Sequence, residues 1–274
     1  FLKLLFLEKV DITIAAAGIS LFKAGLTGLA AKSRIRCCAE KHFLFNRCAK
    51  TDITVHEVER NIEIIKLLCS QENIDNKMRL FYNEQHLQTA KQIFESLNIK
   101  QNSIIIGIHP GSNINLIAKR WHINNFVGLI KKIRNLLPTA VFFIFGGPDE
   151  KDINSKFSKE FDNQFVFNLT GIADIITTAL LIKYCNLFVS NDSGLMHCAV
   201  AVNVKTIALF GPTIISKNRP YSDEAIVITK NLDCQPCYKY NQPISCNRNY
   251  ECMSSITVEE VANKLLEFVK KINK

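Results

Sequence analysis

The sequence predicts an α/β protein built on parallel sheets. Three observations carry this expectation. Between Gln101 and Lys230, short and wholly apolar runs alternate with segments of helical period, the pattern of strands buried on both faces. The chain has 274 residues, room for two α/β domains. Its 47% apolar and 22% charged residues suffice for a sizeable core and exclude global disorder.

Taken in order, Asp11–Ala16 and Arg34–Ala39 read as strands, and Val55–Leu68 as a helix with Val58, Ile62, Ile65 and Leu68 on one face. Gln85–Leu97 is a second helix, and the polar run 98–103 (NIKQNS) is a linker. Ser103–His109 is then a buried strand. Asn124–Leu137 is a helix presenting Phe126, Leu129, Ile130 and Ile133, stopped by Pro138. Ala140–Phe145 is a strand broken by Gly146-Gly147 and followed by a polar helix. Phe165–Asn168, Leu187–Ser190, Lys205–Phe210 and Ile226–Thr229 continue the strands, with helices at Ala173–Tyr184 and Gly194–Val202. Thr257–Ile272 is an amphipathic helix that opens on a Thr257/Glu260 capping box.

The formal charge is +9, with 15 Lys/Arg against 11 Asp/Glu in residues 1–100 and 19 against 14 in the remainder. The excess is spread over both halves, which disfavours a nucleic-acid partner and suits phosphorylated substrates or an anionic membrane surface. No apolar run reaches the ~20 residues of a membrane-spanning helix. Segment 1–7 (FLKLLFL) is too short for a signal peptide, and the first residue, Phe1, suggests that the true amino terminus is missing. Cys37, Cys38, Cys48, Cys69, Cys185 and Cys198 lie in apolar or helical contexts and read as reduced thiols of a cytoplasmic protein.

Several polar, Gly-containing loops fall at carboxyl ends of predicted strands, where parallel sheets bind ligands. His109-Pro110-Gly111-Ser112 offers N–H groups and a hydroxyl to a phosphate, with Lys119 close behind; the alternative is an ordinary loop with a solvated Lys-Arg pair. At Ser190–His197 (SNDSGLMH) a strand ends and a helix begins at once, which suits a diphosphate. Asp192 there is by default a plain helix cap, and His197, four residues after Ser193, a half-buried histidine on the same face. Gly146–Glu150, Asn168–Gly171 and Phe210–Thr213 share this sheet edge, so a nucleotide cleft is favoured over any single-loop reading. There is neither a G-x-G-x-x-G fingerprint nor a Walker A loop, which disfavours NAD dehydrogenases and P-loop enzymes. Cys234, Cys237, Cys246 and Cys252 could enclose a structural zinc or stand as free, redox-labile thiols.

Together these motifs resemble glycosyltransferase family 9, the heptosyltransferases of lipopolysaccharide core assembly. The matching pieces are HEVER at 56–60, HPGS at 109–112, KRW at 119–121, GGPDE at 146–150, NLTG at 168–171, SNDSGLMHCAVA at 190–201, ALFGPT at 208–213 and the cysteine segment at 234–253. The resemblance implies a GT-B fold: two Rossmann-like domains with parallel sheets facing across a cleft, the amino-terminal one incomplete. It divides the chain into an acceptor-side domain at 1–98, a nucleotide-sugar domain at 99–256, and a terminal helix at 257–274 that packs back on the amino-terminal domain.

The implied activity is inverting transfer of a heptose from an ADP-sugar to a lipid-linked oligosaccharide, the lipopolysaccharide inner core. No cofactor is required and no nucleic acid is involved. The implied location is cytoplasmic, with peripheral contact at the inner face of the inner membrane. Ser112 and Lys119 would meet the donor diphosphate, with Ser193, Gly194 and Leu195 at the helix amino end. Asp192 would lie beside the diphosphate or the transferred sugar. Glu150 would reach the ribose, Leu169 and Thr170 would border the adenine, and His197 would stand on the phosphate side. Lys119 and Asp192 would be catalytic. The family's general base, an acidic residue in an amino-terminal Gly-rich loop, would precede Phe1. At Asp11–Ser20, where members often carry Asp and His, this chain has Ala15-Ala16-Ala17. Two rival expectations are a catalytically inactive nucleotide-binding remnant, motivated by that departure, and a GT-B epimerase acting on a sugar nucleotide.

Overall fold

The computed structural model describes residues 10–69, 74–113, 116–162, 164–238 and 244–272; the apolar segment 1–7 lies outside them. Two compact units are found, residues 1–77 with 216–218, and residues 78–215 with 219–274.

In the first unit, β1 (Ile12–Ile14), β2 (Ile35–Cys38) and β3 (Arg47–Cys48) form a parallel sheet in that order. Helix α1 (Leu21–Ala30) has no counterpart in the sequence reading. Its glycines explain why. Gly25 and Gly28 lower helix propensity, yet a Cβ at Gly25 would lie 2.5 Å from the Leu44 Cβ, so the helix packs closely because no side chain is there. Helix α2 (Glu57–Lys66) is capped by His56, whose Nδ1 accepts from Val58 N–H at 3.1 Å. Its buried Arg60 binds Glu40, Glu57 and Thr51. Of the six scattered cysteines, Cys37, Cys38 and Cys185 are buried, Cys48 and Cys198 half-buried, and Cys69 exposed.

The second unit holds six parallel strands: β4 (Ile104–His109), β5 (Ala140–Ile144), β6 (Val166–Asn168), β7 (Leu187–Asn191), β8 (Thr206–Leu209) and β9 (Ile226–Ile228). They are ordered β6-β5-β4-β7-β8-β9. Its helices are α3 (Glu84–Ser96), α4 (Ile123–Leu136), α5 (Lys151–Glu160), α6 (Ile175–Ile182), α7 (Gly194–Ala201), the short α9 (Glu251–Ser254) and α10 (Val258–Ile272); the short α8 (Ile215–Asn218) has all but its first residue in the first unit. Each predicted strand of this unit is present to within two residues at either end.

Alternation of side chains explains the uninterrupted apolar runs. Ile106, Ile108, Phe142, Ile144, Leu187 and Val189 pack on one face with Trp121 and α4. Ile105, Val141, Phe143 and Phe188 pack on the other with α6 and α7. A strand read on both faces by helices has no polar side to show.

Two boundaries of the sequence reading change. Helix α3 was placed before the linker, but Ala90, Ile93 and Phe94 join the second unit's core. Phe94 stacks on Tyr184 at 4.0 Å between ring centroids. The division therefore falls at Lys77/Met78 and not at residue 98. The terminal helix was expected to pack back on the amino-terminal domain. Instead Val261, Ala262, Leu265, Phe268 and Val269 of α10 are buried in the second unit's own core beside Phe126, Ile130 and Leu209. Its capping box is present, with Glu260 N–H donating to Thr257 Oγ1 at 3.2 Å and Thr257 N–H to Glu260 Oε2 at 2.8 Å. Among the described residues no helix is long and apolar enough to cross a membrane.

Candidate functional site

Strand order in the second sheet reverses between β4 and β7, since the chain runs outward from β4 to β5 and β6 and then returns to β7 on its other side. Loops leaving the carboxyl ends of two such strands diverge and leave a crevice. Here a cavity of about 410 Å³ opens, lined by His109 at the end of β4 and Ser112 beyond it, Gly146–Glu150 after β5, Ala173–Ile175 at the entry to α6, and Ser193–Leu195 at the entry to α7. Its size is that of a small-molecule site.

His109 ends β4 and is 4% exposed. Its Nε2 lies 2.9 Å from Glu150 Oε2 and its Nδ1 2.8 Å from Ser193 Oγ. Ser190 Oγ stands 3.0 Å from Ser193 Oγ. Gly147 N–H donates to the same Glu150 oxygen at 2.9 Å. Burial pushes the Glu150 carboxyl up, but the His109 bond and charge, the Gly147 N–H and the nearby Arg120 outweigh it, so the carboxyl sits below its ordinary value. Gly111 leaves room for this carboxylate: a Cβ on it would fall 1.6 Å from Glu150 Oε1, so a side chain there would displace the carboxylate.

Ser112 is oriented from outside the cavity. Arg120 donates through Nε to its hydroxyl at 3.2 Å and through Nη2 to its carbonyl at 2.7 Å. Asn191 ties the loops together, donating to Pro110 O at 2.7 Å and accepting from Trp121 N–H at 3.0 Å.

Ser193, not Asp192, caps α7: Met196 N–H donates to Ser193 Oγ at 3.4 Å. The default reading of Asp192 as a helix cap is thereby corrected. Its buried carboxylate instead binds Lys119 Nζ at 2.9 Å and accepts from Thr213 Oγ1 at 2.7 Å. Lys119 also stands 5.4 Å from the centroid of the Tyr238 ring. The three loops HPGS–KRW, SNDSG and FGPT thus meet through one ion pair and its hydroxyl partner. At the amino end of α7, the side of Gly194 where a Cβ would lie has nothing within 4 Å.

Of the residues singled out in the sequence, Ser112, Glu150, Ser193, Gly194 and Leu195 line the cavity, and Lys119 and Asp192 pair with each other beside it. Leu169 and Thr170 do not line it. Leu169 is 2% exposed and packed in the core. Thr170 is half-buried, its N–H held by Asn168 Oδ1 at 3.1 Å. Ala173 and Ile175 provide apolar wall in their place. His197 is half-buried and is not a lining residue. The sequence reading gave no role to His109, Asn191, Arg120, Thr213 or Tyr238. All five lie inside the quoted motifs, but their partners are set by folding and not by spacing.

Cys234 and Cys237 are exposed, Cys246 half-buried and Cys252 buried. Burial, reinforced by the neighbouring thiols, pushes Cys252 up to about 11. Among the described residues, no three His, Cys, Asp or Glu side chains are placed to hold a metal ion.

The family model for glycosyltransferase family 9 (heptosyltransferase) matches residues 13–247. Lipooligosaccharide heptosyltransferase 2 of Campylobacter jejuni is 28% identical over 77% of the chain, and the match spans 64% of that relative's length. Its namesake in Haemophilus influenzae is 32% identical over 53% of the chain and 42% of its own length. Among solved structures, the family 9 glycosyl transferase of Veillonella parvula superposes with a TM-score of 0.77 at 23% identity, covering 96% of this chain and 74% of that one. ADP-heptose lipopolysaccharide heptosyltransferase II of Escherichia coli gives 0.70 at 22%, covering 96% and 77%. These likenesses establish the fold.

Proposed function

The chain belongs to glycosyltransferase family 9, and on that premise we propose that it transfers a heptose, with inversion, from an ADP-sugar to the lipopolysaccharide inner core. One observation carries this reading: Ser112, Glu150 and Ser193–Leu195 converge on one cavity at the strand-order reversal, with the Lys119–Asp192 pair beside it. The donor diphosphate would lie against the amino end of α7, where first-turn N–H groups lack helical partners and the helix dipole favours negative charge. Ser112 would bind it from the other loop. Glu150 would take the ribose hydroxyls, and Ala173, Ile175 and Leu195 would form the apolar side of the base site.

In the reaction the acceptor hydroxyl oxygen attacks the anomeric carbon as the bond from that carbon to the diphosphate oxygen breaks. Lys119 and α7 stabilise the charge that collects on the departing ADP. Asp192 keeps Lys119 in place and lies next to the transferred sugar. The acceptor's proton passes to a carboxylate base as the new bond forms. Peripheral contact with a membrane carrying the lipid acceptor belongs to the same proposal.

A donor screen by thermal shift tests the reading. ADP at about one hundred times its dissociation constant should stabilise the unit that binds it by about 2.7 kcal/mol, whereas UDP and GDP sugars should do less. Transfer to a lipid A–Kdo acceptor then separates an enzyme from a remnant that binds ADP without turnover. Free sugar or an epimer formed with no acceptor present would identify an epimerase instead.

A further inference from the structure

We propose that His109 sets the ribose specificity of the donor site by positioning Glu150. The inference rests on the donor-site reading above. His109 is buried at the end of β4, and its two ring nitrogens are both engaged: Nε2 with Glu150 Oε2 at 2.9 Å, Nδ1 with Ser193 Oγ at 2.8 Å. Ser193 is itself fixed, since it caps α7 through Met196 N–H and meets Ser190 Oγ at 3.0 Å. The ring therefore sits on the phosphate-side helix and holds the ribose-side carboxylate.

A glutamate side chain has three rotatable torsions and orients poorly by itself. Here both its hydrogen bonds among the described residues, from His109 and from Gly147 N–H, fall on Oε2, while Oε1 lies over Gly111. A carboxylate pinned through one oxygen presents the other in a fixed plane, as discrimination between one hydroxyl and none requires. Without the His109 bond the carboxylate keeps a single backbone anchor and can rotate off the ribose. The ring's second bond matters equally, because a histidine free to swing would not hold anything.

Two conservative variants separate the ring's two bonds. In His109→Gln the side-chain amide reaches the place of Nε2 and can still donate to Glu150. In His109→Asn the amide reaches only the place of Nδ1, and the Glu150 bond is lost. The measurement is calorimetric affinity of the 274-residue chain for ADP and for 2′-deoxy-ADP, with circular dichroism melts to confirm folding. The unmodified chain should prefer ADP by about tenfold or more, the range of one hydrogen bond to a charged group. His109→Gln should keep most of that preference, and His109→Asn should bring it to near unity, as should Glu150→Gln. A role in folding alone would weaken both nucleotides alike and leave their ratio unchanged. A normal ratio in folded His109→Asn, or equal loss in both His109 variants, overturns the inference. If the unmodified chain binds both nucleotides equally, the inference fails while the donor-site reading stands. If it binds neither, the donor-site reading fails and takes the inference with it.

Discussion

Gly111→Ala probes the cavity wall through a single methyl group. The added Cβ would lie 1.6 Å from Glu150 Oε1 and 2.3 Å from Glu150 Cδ. Both atoms belong to the end of a side chain, so the clash is relieved by moving the carboxylate and not the backbone. Movement breaks the bonds from His109 and from Gly147 N–H, each 2.9 Å long. Glu150 is 6% exposed, so water does not replace them readily. Bonds to a charged group are worth about 1.5–3 kcal/mol each. Because the displaced carboxylate recovers part of this, the expected loss is roughly 2–4 kcal/mol of the second unit's stability. Urea unfolding followed by tryptophan fluorescence reports that unit, since Trp121 is the chain's single tryptophan and is buried in it. The decisive comparison is a double-mutant cycle. In a Glu150→Ala background the obstacle is gone, and Gly111→Ala should cost under about 0.5 kcal/mol. Equal destabilisation in both backgrounds would refute the assignment of Gly111 to Glu150. ADP affinity should fall in the single variant as well.

Other substitutions and conditions give equally direct outcomes. Lys119→Ala should lower turnover by about 100- to 1000-fold, as expected for loss of one donor to a developing anion; unchanged turnover would remove Lys119 from the leaving-group site. Gly194→Ala should leave the melting temperature nearly unchanged, because nothing lies within 4 Å of the new Cβ, and should still weaken ADP binding by intruding on the cavity; normal affinity would place the nucleotide elsewhere. Cys38 and Cys48 are paired in register on β2 and β3 with sulfurs 3.0 Å apart, so hydrogen peroxide should join them, the two thiol hydrogens leaving in water. Burial pushes Cys38 up to about 12, so the reaction should be slow; tryptic mapping should find 37–41 linked to 48–50, and Cys48→Ser should abolish that product. Glu260 is held down to about 2, first by Lys230 and then by Thr257. A depressed carboxylate stabilises above its unfolded value of about 4.3 and loses that contribution as pH falls through its folded value. Melting curves of the unmodified chain and Glu260→Gln should therefore differ at neutral pH and converge near pH 2.

The legible parts of this protein are those whose cause is local. Strands β4, β5 and β7 are buried on both faces, so every residue from Ile104 to Ile108 other than Gly107 is apolar, and the run could be read without a partner. The loops at the carboxyl ends were visible for the same reason, as polar interruptions in an apolar alternation. Helix α1 was not visible, because Gly25 is explained by Leu44 and Phe45, nineteen and twenty positions away and across the packing interface. The site divides along the same line. That a cap stands between β7 and α7 follows from strand, polar residues and helix in close succession, but the sequence places it at Asp192, one residue before Ser193. The bond from His109 to Glu150 spans 41 residues, and that from His109 to Ser193 spans 84. These distances in sequence are closed by strand order, which brings β5 and β7 to either side of β4. A reader of the sequence who had that order could place the three residues at one edge, but not know which of them touch. That is why Asp192 reads as a cap until Ser193 is seen to do that work, leaving the Asp192 carboxylate for Lys119 and Thr213.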